Sequence, residues 1–153
     1  MTPTSWDDAA LAVIESYDRT IGRPALLPTI TYCARRMAEA VRNYQEPQTM
    51  LFNTIGCEAV AELKHRNLWN VEQFHTLLCG KQHDYGHDNI NQFGLVGIAV
   101  RLNDKVARLV NLSEKRTVMN ESLLDTWHDL IGYSVIAEMV ICGTFDLDLK
   151  KSA

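Results

Sequence analysis

A helical stripe near the C-terminal end of the chain combines short acids with a histidine and a glycine. At about 100° per residue, four residues fall on one side of the helix, which we name the acidic stripe: Glu121, Asp125, His128 and Gly132. Asp129 lies just beside it, and the opposite arc is apolar. Two short acids at i and i+4 repel each other unless a cation lies between them. The pattern predicts that Glu121 and Asp125, with Asp129 at the edge, bind Mg²⁺. Alternatively, Glu121 complements the helix dipole and Asp125 pairs with a basic neighbour.

A second i,i+4 acid pair, Glu58 and Glu62, lies on an earlier predicted helix. A bundle that placed this pair opposite the acidic stripe would create a four-carboxylate magnesium site. The alternative is a solvent-exposed face beside Lys64 and Arg66.

The helix before the acidic stripe carries a basic row. Its members are spaced i, i+3, i+7 and i+10: Arg101, Asp104, Arg108 and Asn111, with Lys105 at the edge. Two arginines beside an aspartate can bind phosphate oxygens through forked donors. The alternative is an exposed face in which Asp104 and Arg108 pair with each other.

The segment 81–92 is rich in Gly, Asp and Asn, which predicts a functional loop or a broken helix. His83 and His87 have a spacing seen in zinc sites. However, Asp84 replaces the glutamate of the metalloprotease motif, which favours hydrogen bonding to a ligand over zinc.

Composition limits the classes of protein that fit. The 153 residues suit one domain, and a net charge of −4 argues against bulk nucleic-acid binding. The four cysteines form no CxxC pair, which is typical of free thiols in a reducing compartment. No apolar run approaches a membrane span and the N-terminus is polar, so we expect a cytoplasmic protein without a signal peptide or membrane partner.

The apolar periodicity and capping signals predict an all-α, single-domain bundle of about six helices. Ser5 and Asp8 form a capping box for the first helix, which should end at Gly22–Pro24. The other helices are expected at 30–44, 48–65, 70–80, 93–111 and 121–142. Residues 1–69 would pack on a core formed by residues 70–143.

Three motifs in this order resemble a known family. They are Lys81-x-x-Asp84-Tyr85-Gly86, then Phe93-Gly94-x-x-Gly97 with Arg101-x-x-Asp104-Lys105-x-x-Arg108-Leu109, then Glu121-Ser-x-x-Asp125-Thr-x-x-Asp129-Leu-x-x-Tyr133. Together they resemble the phage-associated "nucleotide modification associated" helical domain, whose function is uncharacterised, over roughly residues 70–142.

The last motif is also similar to the final metal helix of MazG-like all-α nucleotide pyrophosphohydrolases. That resemblance implies Glu121 and Asp125 as catalytic metal ligands, with Glu58 and Glu62 as a first pair. The interval from Glu62 to Glu121 is longer than in that family, so the resemblance supports nucleotide recognition more strongly than hydrolysis.

The residues and the resemblance together predict a pocket for an anionic ligand. The expected nucleotide-binding residues are Lys81, Asp84, Tyr85, Gly86, Arg101, Asp104, Lys105, Arg108, His128 and Tyr133. The first hypothesis is a phage-type, Mg²⁺-dependent hydrolase of a (deoxy)nucleotide phosphoanhydride. The second is a binding protein that sequesters a nucleotide or cyclic-nucleotide signal. The third is a helical scaffold protein, and a homo-oligomer is expected.

Overall fold

Seven helices form the regular structure in the computed structural model of this chain, which describes residues 2–113 and 122–150. They are α1 (Trp6–Asp18), α2 (Leu27–Arg42), α3 (Thr49–His65), α4 (Val71–Tyr85), α5 (Asp88–Asn91), α6 (Gly94–Ser113) and α7 (Leu123–Cys142). No strand occurs in these described ranges. The predicted all-α, single-domain fold is therefore confirmed.

Side-chain caps set several of the helix starts. Ser5 Oγ accepts the Asp8 amide at 3.2 Å, and Asn70 Oδ1 accepts the Gln73 amide at 2.9 Å, both at the expected positions. Helix α7 begins two residues later than expected, because Ser122 Oγ caps it by accepting the Asp125 amide at 3.1 Å.

Helix α4 continues five residues past its expected end at Gly80. Gly80 has open space around its Cα and fits within the helix without a left-handed conformation. The helix ends instead where Gly86 adopts φ +69°, a conformation that glycine reaches at low cost. The segment 81–92 is therefore a broken helix, in which the four-residue α5 follows the break.

One core joins the helices before and after residue 70. Helix α7 packs most extensively on α3 and α6, α2 lies against α3 and α6, and α1 contacts α3, α4 and α7. Among the described residues, no helix is long and apolar enough to cross a membrane.

Tyr17 ties three of these helices together. Its ring is fully buried and lies directly on Gly56 of α3, where an added Cβ would come within 2.4 Å of Tyr17 Cε2. Its hydroxyl donates a hydrogen bond to the Glu138 carboxylate of α7, to which Asn53 Nδ2 also donates at 3.4 Å. Burial, and then the negative charge of Glu138, raise the pKa of Tyr17 well above its usual value, so the phenol stays protonated.

We predict that Gly56→Ala lowers the free energy of unfolding by about 2 kcal/mol, because the new methyl group must displace the Tyr17 ring. Gly80→Ala is the matched control. It adds the same methyl group inside a helix with open space and should raise stability by about 0.5–1 kcal/mol. Urea unfolding of both variants measures the difference, and equal stabilities would contradict the packing constraint.

Candidate binding site

A cavity of about 400 Å³ lies where α4, α6 and α7 meet the first turn of α1. Six residues that the sequence had marked as site residues line it: Lys81, Tyr85, Arg101, His128, Asp129 and Tyr133. Its apolar wall is formed by Trp6, Phe74, Leu77, Leu78, Ile90 and Ile136. The structure thus brings Arg101 of the basic row, His128 and Gly132 of the acidic stripe and the end of α4 to one place.

The charged groups of the cavity centre on Asp129. Its carboxylate lies 3.4 Å from Lys81 Nζ and 2.7 Å from Lys105 Nζ, so two ammonium groups share one carboxylate. The Arg101 guanidinium lies over the Tyr133 ring at 6.0 Å from its centre, a cation–π contact. Among the described residues that line the cavity, the cations Lys81 and Arg101 therefore outnumber the one carboxylate, Asp129.

Three aromatic rings lie side by side next to the cavity, and the middle one is Phe74 of α4. Phe74 lies 5.4 Å from Trp69 and 5.6 Å from the His128 ring, measured between ring centres. Burial lowers the pKa of His128 and Lys81 lowers it further, and together they outweigh the opposing effect of Asp125 and Asp129. His128 is therefore neutral at pH 7 and has both a hydrogen-bond donor and an acceptor.

Two polar atoms in residues of the cavity wall are buried without a hydrogen-bond partner in the described part of the chain: Trp6 Nε1 and Asn89 Oδ1. The Trp6 ring is fully buried and packs edge-on against Phe145 at 6.4 Å. An unsatisfied buried polar group costs about 1–3 kcal/mol, so these two atoms reduce the stability that the wall contributes to the fold.

Other expected nucleotide-binding residues lie outside the lining. Asp84 is exposed beside His83 at 3.2 Å, Gly86 caps α4, and Asp104 is exposed on α6. The remaining two residues, Lys105 and Arg108, each contact a side chain of α7. Lys105 reaches the cavity edge through Asp129, and Arg108 donates a hydrogen bond to the Thr126 hydroxyl.

The acidic stripe is only partly described. Glu121 lies outside the described residues, and Asp125 is exposed in the first turn of α7. Gly132, the glycine of the acidic stripe, lies against helix α4. A Cβ added at Gly132 would lie 3.4 Å from Leu78 Cδ1 of α4.

Glu58 and Glu62 are buried, and both hold the connection between α1 and α2. Glu58 forms a two-pronged salt bridge with Arg23 and accepts the Leu26 amide at 2.7 Å. Glu62 accepts the Ala25 amide at 3.0 Å and Arg66 Nε at 2.5 Å. The alternative prediction of a solvent-exposed face is therefore wrong, and both carboxylates have partners within the chain.

No group of three or more His, Cys, Asp or Glu side chains in the described ranges is arranged to hold a metal ion. The histidines of the 81–92 segment have protein partners: His83 lies beside Asp84, and His87 Nδ1 lies 3.0 Å from Gln82 Nε2.

The sequence did not identify Trp6, Gln82 or Asn89 as cavity residues. Trp6 directly follows the cap Ser5, and nothing local indicates that this turn packs against α4. Gln82 and Asn89 lie on either side of the break at Gly86, and the predicted end of α4 at Gly80 obscured their position.

No family model matches the chain, and no curated protein or solved structure is significantly similar to it.

We predict that Glu58→Gln lowers the free energy of unfolding by about 1.5–3 kcal/mol at pH 7, because it breaks a half-buried, charge-assisted contact with Arg23. Burial alone would raise the pKa of Glu58, but hydrogen bonds from Arg23 and Leu26 outweigh it and lower that pKa. The stabilisation is therefore complete above the unfolded-state pKa and is lost as the pH falls through the folded-state value.

Urea unfolding from pH 7 down to acid checks this expectation. The matched control is Glu39→Gln, which alters the exposed pair with Arg36 and should change stability by less than about 1 kcal/mol. If both glutamines have the same effect across the pH range, Glu58 does not hold the α1–α2 connection.

Proposed function

We propose that this chain binds a nucleotide, or a closely similar planar organic anion, in the cavity between α4, α6 and α7. The observation that carries the proposal is the combination of a cationic mouth, formed by Lys81 and Arg101, with an aromatic wall in one cavity. Its volume of about 400 Å³ lies within the range of small-molecule sites, about 300–1,000 Å³.

The cationic mouth suits phosphate oxygens. Lys81 Nζ lies at 3.4 Å from Asp129, a loose contact that a phosphate can compete with, and its side chain is half exposed. Arg101 supplies a planar guanidinium on the same cavity, held over Tyr133. A mobile ammonium beside a positioned guanidinium is a combination that recognises phosphate well.

The wall suits a planar base. Tyr85 and Tyr133 provide ring faces for stacking, and Tyr85 is exposed at the cavity mouth.

Binding is better supported than hydrolysis. Of the five carboxylates expected to hold Mg²⁺, Asp129 pairs with two lysines, while Glu58 and Glu62 pair with arginines and backbone amides. At these three a metal would have to displace the partners first; Asp125 is exposed, and Glu121 lies outside the described residues. We therefore propose a binding protein for a nucleotide or nucleotide-like signal, the second of the sequence hypotheses.

Calorimetric titration of the full chain with ribo- and deoxynucleotides, nucleosides and inorganic phosphate tests the proposal. We expect at least one nucleotide to bind, and Lys81→Ala and Arg101→Ala each to weaken it about tenfold or more. Arg36→Ala removes an exposed arginine of α2 and should leave the affinity unchanged.

Two results would overturn the proposal: no binding across the panel, or equal affinity in Lys81→Ala and wild type. A parallel assay for released phosphate and pyrophosphate, with and without Mg²⁺, separates binding from turnover. Release of phosphate or pyrophosphate that depends on Mg²⁺ would show that the chain is a hydrolase rather than a binding protein.

A further inference from the structure

A groove of about 540 Å³ adjoins the binding cavity, toward the start of α4. The α3–α4 connection, the first turns of α4 and the first turn of α7 supply its lining, which includes Trp69, Gln73 and Leu124. Three residues line both the groove and the cavity: Phe74, Leu77 and His128. The two spaces are therefore neighbours, within reach of one ligand.

Helices α4 and α7 run beside each other in the same direction under both spaces. The ring of Phe74 lies 5.6 Å from that of His128. Four residues further along each helix, a Cβ added at Gly132 would lie 3.4 Å from Leu78 Cδ1. The lining on α4 extends over residues 70–85, about 22 Å at 1.5 Å per residue. We name the groove and the cavity together the α4–α7 trough.

The two halves of the trough differ in charge. The cavity half contains the cations Lys81 and Arg101. Among the described residues that line the groove half, none has a side chain charged at pH 7, because His128 at the boundary is neutral. Its polar side chains are amides, Asn67 and Gln73 among them. A chain of phosphates needs cations along its length, so the groove suits an uncharged part of the ligand.

The groove also contains an aromatic ring in a fixed position. Trp69 is half-buried, its ring centre lies 5.4 Å from that of Phe74, and its Nε1 donates a hydrogen bond to Asp18 at 2.8 Å. A ring that is already held loses little freedom when a planar base stacks on it. Stacking on aromatic side chains is a common way to bind single bases, and it tolerates any base.

We propose that the α4–α7 trough binds a dinucleotide, with phosphate at Lys81 and Arg101 and the second nucleoside in the groove against Trp69. This inference rests on the proposed function, since the cavity holds the first nucleotide. It narrows the ligand class to two nucleosides joined through phosphate, in preference to a nucleoside triphosphate. The amide of Gln73 is placed to bind the base edge or the sugar hydroxyls of the second nucleoside.

Calorimetric titration of the full chain with matched ligands tests the inference. For each base, in the ribose and deoxyribose series, the ligands are the 5′-mononucleotide, the 5′-phosphorylated dinucleotide and the nucleoside triphosphate. We expect the dinucleotide of at least one base to bind about tenfold or more tightly than its mononucleotide, the gain that stacking of one base provides. The triphosphate should show no such gain.

Variants of the groove locate the gain. Trp69→Leu removes the ring and should abolish most of the preference for the dinucleotide, while the affinity for the mononucleotide stays unchanged. Gln73→Ala, at an exposed position, should weaken dinucleotide binding about fivefold and leave the hydrogen bond from Trp69 to Asp18 intact. Thr76→Ala alters an exposed residue of α4 outside both linings and should change neither affinity. Circular dichroism confirms that each variant is folded.

The outcomes separate this inference from the proposed function. If mononucleotides bind but no dinucleotide binds more tightly, or if both groove variants weaken the two ligands equally, the groove is not a nucleoside site and the nucleotide-binding function stands. If no nucleotide of either length binds, both proposals are wrong.

Discussion

The packing of Tyr17 on Gly56 is the contact on which the arrangement of the other helices depends. The bare backbone of Gly56 lets the ring lie flat on α3, and the hydroxyl then reaches Glu138 of α7. This contact fixes α1 against the central α3–α7 pair. Because α1 is a rigid helix, fixing its last turn also directs its first turn, and so places Trp6 in the wall of the cavity.

Asp129 has a comparable effect on the cavity. Lys81 comes from α4, Lys105 from α6 and Asp129 from α7, so one carboxylate forms salt bridges with cations of two other helices. The cations are thereby held together, which would reduce the ordering cost of binding the proposed anion. The same geometry makes Asp129 a poor metal ligand, since two ammonium groups already occupy it.

The two buried glutamates show how a motif can serve the fold. Glu58 and Glu62 have the i,i+4 spacing of a metal-binding pair, yet each carboxylate satisfies a backbone amide of the α1–α2 connection and an arginine. A buried carboxylate needs several donors, and an irregular segment has amides without partners. The carboxylates therefore obtain the donors they need, and the amides of the α1–α2 connection obtain an acceptor.

The sequence by itself determined the helical class, the caps at Ser5 and Asn70, and the buried faces of α6 and α7. These follow from spacing and from contacts within one turn, which the chain specifies locally. Its motifs also predicted that Lys81, Arg101 and Tyr133 lie in one pocket, and all three line the same cavity.

Only the tertiary structure decided which partners these residues have. Trp6 enters the cavity through the angle at which α1 crosses the bundle, and Glu58 meets Arg23 across a connection that no periodicity describes. Likewise, the exposure of Val96 and Val100 depends on which side of α6 its neighbours cover. Such contacts join residues far apart in sequence, and the packing of whole helices selects them.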